Sequence, residues 1–329
     1  MFPWTGKAPG NASQAVMDSP YEAKDIRELF HDLFPVCTIT SIHFRGTWIK
    51  TTYLLRCSTP GGTEQGYYLK ICEKPEWTDL EHERSVVELL RSVNIHLPRV
   101  EVVDTSCSYF PKPFLVQRQG QGTRLSDLWK TGDPRTRQEW YRAIGEFYSR
   151  VHGLKNSWAG VWKEDPAVRA YPITPNAFMF RAEIVEGSGR ILQERGVLSP
   201  QLHRQIIALW EKNMEFLESA TPTLTHVSPF PWSLYLVKEG GSWHVSKVTA
   251  LGDFTWWDAD LDCTLLRWPP FAHLSEDEWN SFLEGYARTP CSQKMQLFSL
   301  LTTLCAIAGV YMEPASLSSE SWKKEAGNE

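Results

Sequence analysis

The chain has 329 residues, of which 42% are hydrophobic and 22% charged, the balance of a globular protein with a sizeable core. Its net charge of −5 argues against nucleic acid or an anionic membrane surface as a partner, because both select for clustered lysine and arginine. The seven cysteines are scattered without CxxC spacing, which predicts reduced thiols in a cytoplasmic protein and no zinc site.

The first 120 residues predict a small lobe. Residues 1–19, rich in Gly, Pro, Ser and Asn, indicate a flexible N-terminal arm. Apolar residues at helical spacing predict helices over Tyr21–Phe34 and Thr78–Ser92. Short β-rich runs predict an antiparallel sheet at Thr38–Phe44, Trp48–Arg56, Tyr67–Cys72, Arg99–Asp104 and Phe114–Arg118. We expect these elements to form an N-terminal lobe over residues 20–120.

The rest of the chain is mainly helical, and residues Gln119–Gly122 indicate a linker before it. Helices are predicted at Arg135–His152, Leu202–Leu217, Asp277–Ala287 and Gln293–Val310, and a β-hairpin at Leu234–Lys238 and His244–Thr249. The last of these helices is too short and too polar to span a membrane. We expect a C-terminal lobe over 121–315 and a flexible tail over 316–329, which makes the fold class α+β.

Residues 224–262 carry the motif on which function is argued. His226 is followed by Ser228, Ser233, a hairpin, Asp253 and Asp262. This frame resembles the aminoglycoside phosphotransferase and choline-kinase-like family, in which His-Gly-Asp and an Asn precede a hairpin and a further Asp. The resemblance extends over about residues 21–312. It implies a bilobal protein-kinase-like fold, with a small antiparallel-sheet lobe, a larger helical lobe and the site between them.

The same resemblance assigns two residues upstream of the motif. Lys70, at the end of a strand, is similar to the family's phosphate-binding lysine. Glu83 is similar to the helix glutamate that pairs with that lysine. Both are expected to bind a cofactor, with a solvated surface charge as the alternative for each.

The motif departs from the family at the residues that carry the chemistry. Ser228 stands where the family has its catalytic Asp, and Ser233 stands where it has its metal-binding Asn. Val227 replaces the Gly that lies between the His and the Asp of the family motif. A serine hydroxyl has far too high a pKa to replace a carboxylate as base. A general base typically contributes about 10²–10⁴-fold in rate. Ser233 is also a shorter, weaker ligand for Mg²⁺ than an asparagine. The sequence therefore predicts that phosphoryl transfer has been lost.

Three residues are catalytic candidates in this altered loop. Asp253 is the expected acid or base, and the one metal ligand if magnesium is retained. Ser228 and His226 are the other two, although no Gly-x-Ser-x-Gly motif surrounds Ser228. His226 has an alternative interpretation as a structural brace of the loop, as in the family it resembles.

Aromatic residues surround the motif and predict a cleft for an apolar substrate. The expected lining residues, with Ser233 included for its position, are Phe230, Trp232, Ser233, Trp256 and Trp257. Core packing is the alternative interpretation of these aromatic side chains.

Three functions remain open. The favoured one is a repurposed biosynthetic enzyme, a cyclase or isomerase, that needs no cofactor. The second is a phosphotransferase that uses ATP and Mg²⁺ with an unusual base, and the third is a pseudokinase that only binds a ligand or partner. The Leu125–Trp129 stretch resembles fungal members of the family, which implies a small-molecule substrate of fungal secondary metabolism. The sequence does not define an oligomeric state.

Overall fold

The computed structural model describes residues 20–47, 50–73, 80–161, 184–268 and 274–308. The predicted arm, 1–19, and tail, 316–329, lie outside the described residues. The described residues form two compact units: one within Met1–Glu76 and Val100–Gln119, the other within Trp77–Arg99 and Gly120–Glu329. The described residues 80–99 thus belong to the second unit, although they precede the boundary expected at residue 120.

The first unit is an antiparallel five-stranded sheet covered by one helix. Its strand order is β1-β2-β3-β5-β4. The elements are α1 Ala23–Leu33, β1 Thr38–Thr47, β2 Lys50–Ser58, β3 Glu64–Cys72, β4 Val100–Asp104 and β5 Phe114–Arg118. Ile26, Leu29 and Phe30 of α1 are fully buried in a core with Tyr67 and Phe114 of the sheet. Helix α1 and the antiparallel sheet, both predicted from the sequence, are confirmed.

The second unit is mainly helical. Its helices are α2 Leu80–Ser92, α3 Leu125–Leu128, α4 Pro134–Val151, α5 Ser188–Glu194, α6 Pro200–Glu218, α7 Ala259–Arg267, α8 Glu276–Tyr286 and α9 Ser292–Ala308. Its strands are β6 Thr123–Arg124, β7 Gly160–Val161, β8 Thr223–Thr225, β9 Leu234–Glu239, β10 Ser242–Val248 and β11 Thr255–Trp257. The strands form two small sheets, ordered β10-β9-β6 and β7-β11-β8.

Side-chain caps define where the long helices begin. Asp133 accepts a hydrogen bond from the Thr136 amide at the start of α4, and Ser199 accepts one from the Leu202 amide at the start of α6. Ser275 begins α8 with a reciprocal capping box. Each cap satisfies a backbone amide that a helix start otherwise leaves unpaired.

Two glycines allow α4 and α8 to pack backbone against backbone. A Cβ added at Gly145 would lie 2.1 Å from the Phe282 carbonyl oxygen, and one at Gly285 would lie 2.0 Å from that of Arg142. No larger residue fits without displacing a helix. This contact fixes α4, whose last turn supplies side chains to the functional site.

The predicted helices and hairpin match α2, α4, α6, α8, α9, β9 and β10 within a few residues. The prediction missed α7, in which acidic residues and a cysteine interrupt the apolar pattern over only nine residues. It also missed the short strands β8 and β11, which form because they pair with each other. Among the described helices, none is both long and apolar enough to cross a membrane.

Candidate active site

Asp262, on α7, holds the motif loop through its backbone. Its Oδ2 accepts a hydrogen bond from the His226 amide at 2.7 Å, and its Oδ1 accepts one from the Val227 amide at 2.8 Å. His152, at the end of α4, lies 3.0 Å from Oδ2 through its Nε2. The side chains of Asp262 and His152 are fully buried, where charge-assisted hydrogen bonds are strong. Asp262 therefore holds the backbone of the loop in place.

Val227 sits in a backbone conformation that favours glycine. Its φ is 62°, in the left-handed region that a β-branched residue rarely adopts. The family motif has Gly at this position, so the loop keeps its shape even though the residue that relieves the strain is gone. The Val227 side chain is 6% exposed and joins the hydrophobic core of the second unit. This burial offsets part of the strain.

His226 is bonded through both ring nitrogens. Nε2 donates to the Thr249 carbonyl at 2.9 Å, which leaves Nδ1 to accept from the Tyr148 hydroxyl at 2.8 Å. The ring stacks on Phe254 with centroids 4.5 Å apart. Burial lowers the pKa of His226, so the imidazole is neutral. This is the geometry of the structural brace, with both ring nitrogens bonded to protein groups.

Ser228 and Asp253 contact each other directly. Asp253 ends a single 3-10 turn, Leu251–Asp253, on the segment between β10 and β11. Its Oδ2 accepts a hydrogen bond from the Ser228 hydroxyl. Both residues are half-buried. The serine in the position of the family's catalytic Asp thus donates to the carboxylate of Asp253, which the motif retains.

Ser233 lies at the base of the loop rather than at its surface. It is 2% exposed. Its carbonyl accepts from the Thr249 amide at 2.9 Å, and its amide donates to the Phe230 carbonyl at 2.8 Å. These bonds join the motif loop to the strand that leads to Asp253.

The donor set at this position does not match the one that the family uses for Mg²⁺. Magnesium prefers well-placed hard oxygen ligands in octahedral geometry. Here one Asp253 oxygen is hydrogen-bonded to Ser228, and a buried serine replaces the asparagine amide at position 233. The residues present do not fit a magnesium site of the family type.

Glu83, on α2, lies beside the turn that carries Asp253. Its side chain is buried, and a Cβ added at Gly252 would lie 3.9 Å from Glu83 Oε1. The neighbouring His82 donates from Nε2 to the Phe254 carbonyl at 2.9 Å. Helix α2 thus holds the Leu251–Asp253 turn from one side, and His226 contacts the Phe254 ring.

Lys70 lies in the first unit, on β3. Its ammonium donates to Gln117 Oε1 at 3.0 Å, and Gln117 is 3% exposed on β5. Lys70 pairs with Leu115 in the sheet, which places Gln117, two residues further on, on the same face. Sequence reasoning did not identify Gln117. The signal available was one amide residue after an apolar run in a strand, Phe114–Arg118.

The aromatic residues of the motif divide into two groups. Trp257 packs in the hydrophobic core of the second unit, and Trp256 is 6% exposed with Trp158 against it at 6.4 Å between centroids. For these two, core packing is what the structure shows. Phe230 and Trp232 stack on each other at 4.8 Å, and Trp232 is 42% exposed. Only this pair remains a candidate contact for an apolar ligand.

These features define a kinase-like phosphotransferase scaffold. The sequence profile of the phosphotransferase enzyme family (APH) matches residues 42–291. The chain belongs to this family, and the resemblance seen in the sequence is confirmed. No curated protein matches the chain significantly in sequence.

Solved structures of aminoglycoside and macrolide phosphotransferases share the fold. An ADP-bound aminoglycoside phosphotransferase, APH(2'')-Ib, superposes with a TM-score of 0.61 at 13% identity, over 92% of this chain and 99% of that one. The GDP complex of aminoglycoside 2'-phosphotransferase-IIIa gives 0.60 at 13% identity, over 93% and 96%. Macrolide 2'-phosphotransferase MphH from Brachybacterium faecium gives 0.56 at 13% identity, over 92% and 95%. At such identities the likeness concerns the fold, and the predicted bilobal α+β kinase-like fold is confirmed.

Proposed function

We propose that this protein is a small-molecule enzyme that has left phosphoryl transfer and uses Asp253 as an acid and base. The observation that carries the proposal is the hydrogen bond from the Ser228 hydroxyl to Asp253 Oδ2. The position that should bear the catalytic carboxylate instead supplies a donor to a second carboxylate. Such a pair holds one carboxylate in a fixed orientation, which proton transfer requires.

The reaction class is isomerisation or cyclisation. Asp253 takes a proton from one atom of the substrate and returns it to another, so the product has the mass of the substrate. No oxidant, reductant or nucleotide enters the balance. The stacked Phe230–Trp232 pair supports an apolar or conjugated substrate. The resemblance of the Leu125–Trp129 stretch to fungal members of the family supports a biosynthetic role in the cytoplasm.

The experiment compares the wild-type protein with Asp253→Asn on a small-molecule extract of the source organism, followed by mass spectrometry. We expect a conversion at constant mass, without added ATP, that Asp253→Asn slows by about 100-fold or more. Ser228→Ala should slow it by about tenfold. Asp25→Asn is the matched control, since Asp25 is an exposed carboxylate on α1, and it should leave the rate unchanged.

A product heavier by one phosphoryl group would overturn the proposal, as would a conversion that Asp253→Asn leaves intact. The first outcome would favour the second candidate, an ATP- and Mg²⁺-dependent phosphotransferase. That candidate is supported by the retention of Lys70, Glu83 and Asp253 in family order. It needs a base and a metal ligand from outside the family positions.

A further inference from the structure

The turn that carries Asp253 begins at a strained residue. Ala250 has a φ of 58° and a ψ of 41°, in the left-handed region that residues other than glycine rarely adopt. The Asp253 amide donates to the Ala250 carbonyl at 3.0 Å, so the strained residue closes the turn. Such a conformation persists only where the surrounding structure holds it in place. The residues on either side of the turn, Thr249 and Phe254, must therefore be fixed by other contacts.

The side chain of His226 contacts both ends of this turn. Its Nε2 donates to the Thr249 carbonyl at 2.9 Å. Its ring stacks on Phe254 with centroids 4.5 Å apart and planes 21° from parallel. Thr249 precedes Ala250, and Phe254 directly follows Asp253. The placement of the His226 ring therefore constrains the backbone on both sides of the carboxylate.

Tyr148, on α4, fixes which nitrogen of that ring carries the proton. A carbonyl oxygen only accepts, so the contact with Thr249 requires the proton on Nε2. The Tyr148 hydroxyl lies 2.8 Å from Nδ1 and is then the donor to it. The side chains of Tyr148 and His226 are both fully buried, where bulk solvent is a poor substitute for this donor. The opposite tautomer would set a nitrogen lone pair against the Thr249 carbonyl oxygen.

Helix packing fixes the Tyr148 hydroxyl in turn. Gly145, three residues earlier on α4, packs against the α8 backbone. The Tyr148 ring also lies 5.3 Å from the ring of His152, which contacts Asp262 through Nε2. Helix α4 thus supports the hydroxyl from a packed backbone rather than from a loop.

We infer that Tyr148 is a positioning residue for Asp253 and acts through His226. The hydroxyl fixes the tautomer and the orientation of the imidazole, and the imidazole holds both ends of the turn Leu251–Asp253. Without the hydroxyl, Nδ1 is a buried acceptor that has lost its donor, so the ring is no longer fixed. The inference rests on the proposed function for what Asp253 does, whereas the positioning itself is a property of the turn.

Hydrogen exchange of the backbone amides in the wild type and in Tyr148→Phe measures this positioning without any substrate. The amides of Thr249 and Asp253 donate to the carbonyls of Ser233 and Ala250, so their exchange reports local opening of the segment. We expect Tyr148→Phe to raise the exchange rate over residues 249–254 about tenfold, the effect of one buried hydrogen bond, and to leave α6 unchanged. An unchanged rate at 249–254, or an equal rise in α6, would overturn the inference.

Tyr141→Phe is the matched control. Tyr141 lies on the same helix, seven residues before Tyr148, and is 1% exposed. Its ring packs edge to face on Trp129, with centroids 5.7 Å apart. The control loses a hydroxyl from a buried tyrosine of α4 and should leave exchange over residues 249–254 as in the wild type. Equal acceleration by both variants would overturn the inference.

The ring nitrogens of the wild type give a second measurement, which requires no Tyr148 variant. In protein labelled with ¹⁵N-histidine, the resonances of His226 are identified by their loss in His226→Gln. We expect a proton on Nε2 and none on Nδ1. A proton on Nδ1 would overturn the assignment of Tyr148 as the donor.

The constant-mass conversion separates this inference from the proposed function. Tyr148→Phe should lower kcat about tenfold and leave KM unchanged, because the turn that moves carries the proton-transfer carboxylate. An unchanged kcat would overturn the inference. A wild type without any conversion would contradict the proposed function, whereas the exchange rates and the His226 tautomer decide the role of Tyr148 in either case.

Discussion

The residues that hold the motif loop in place, here called the frame, keep the family pattern. The residues at the positions that should perform the chemistry do not. The frame is complete: Asp262 bonds two consecutive loop amides, and His226 is bonded at both nitrogens. In the reacting positions, Ser228 and Ser233 stand in place of a carboxylate and an amide. The fold therefore depends on the frame, while the chemistry is free to change within it.

This difference has an energetic origin. The frame consists of buried hydrogen bonds, and removing one partner leaves a buried polar group unsatisfied at a cost of about 1–3 kcal/mol each. Of the reacting residues, Ser228 and Asp253 are half-buried, where polar substitutions cost less, whereas Ser233 is buried. Drift or selection can therefore alter Ser228 and Asp253 at little cost in stability.

The largest expected effect is on the frame. Asp262→Ala should lower the free energy of unfolding by about 3–5 kcal/mol, because it leaves two loop amides and His152 without their buried acceptor. Urea denaturation followed by fluorescence measures this. A loss under about 1 kcal/mol would mean that the loop does not depend on Asp262.

An effect of opposite sign is expected on the hairpin next to the loop. The pKa of Lys247 falls from 10.5 to about 8 on folding, so the unfolded chain binds more protons between these values. Stability contributed at this position therefore rises with pH through the window from 8 to 10.5 and is lowest below it. Lys247→Met should raise the free energy of unfolding at pH 7 by about 1–3 kcal/mol.

The check is denaturation of wild type and Lys247→Met at pH 7 and pH 10. The difference in free energy of unfolding between the two proteins should shrink at pH 10, because the lysine of the folded wild type is then largely neutral. Lys238→Met, at an exposed lysine, should show no such convergence. A gap that stays constant would contradict the assignment of the effect to the charge of Lys247.

The smallest effect on stability is expected at the reacting residues. Ser228→Ala removes one hydrogen bond to a half-buried carboxylate and should change the free energy of unfolding by about 1 kcal/mol or less. The same denaturation series measures it beside Asp262→Ala. If Ser228→Ala changed the free energy of unfolding as much as Asp262→Ala, the frame and the reacting residues would not differ in their contribution to stability.

Much of this fold could be predicted from periodicity. The strands of the first unit and the long helices of the second show apolar spacing that depends only on local sequence. Helix α7 and strands β8 and β11 could not be found that way, because they form through pairing and through the contact of Asp262 with the loop amides. Residue type alone also did not separate Trp257, which lies in the core, from Trp232, which is exposed.

The contacts within the candidate sites could likewise be predicted only in part from the sequence. The positions of Ser228, Ser233 and Asp253 followed from the motif frame, whereas the direct bond between Ser228 and Asp253 required the structure. Strand register places Gln117 beside Lys70, and it places Arg124 and Lys247 beside Tyr235. Register between strands distant in the chain is not encoded in any one segment.

We propose that the altered loop, with Ser228 and Ser233 at its reacting positions, no longer transfers phosphoryl groups. The most direct measurement is Mg²⁺-dependent consumption of radiolabelled ATP by the wild type, Asp253→Asn and the double variant Ser228→Asp/Ser233→Asn, with kanamycin as an acceptor probe. We expect background turnover for the wild type and for Asp253→Asn, and a Mg²⁺-dependent gain in the double variant. Turnover by the wild type that requires Mg²⁺ and is abolished by Asp253→Asn would contradict it.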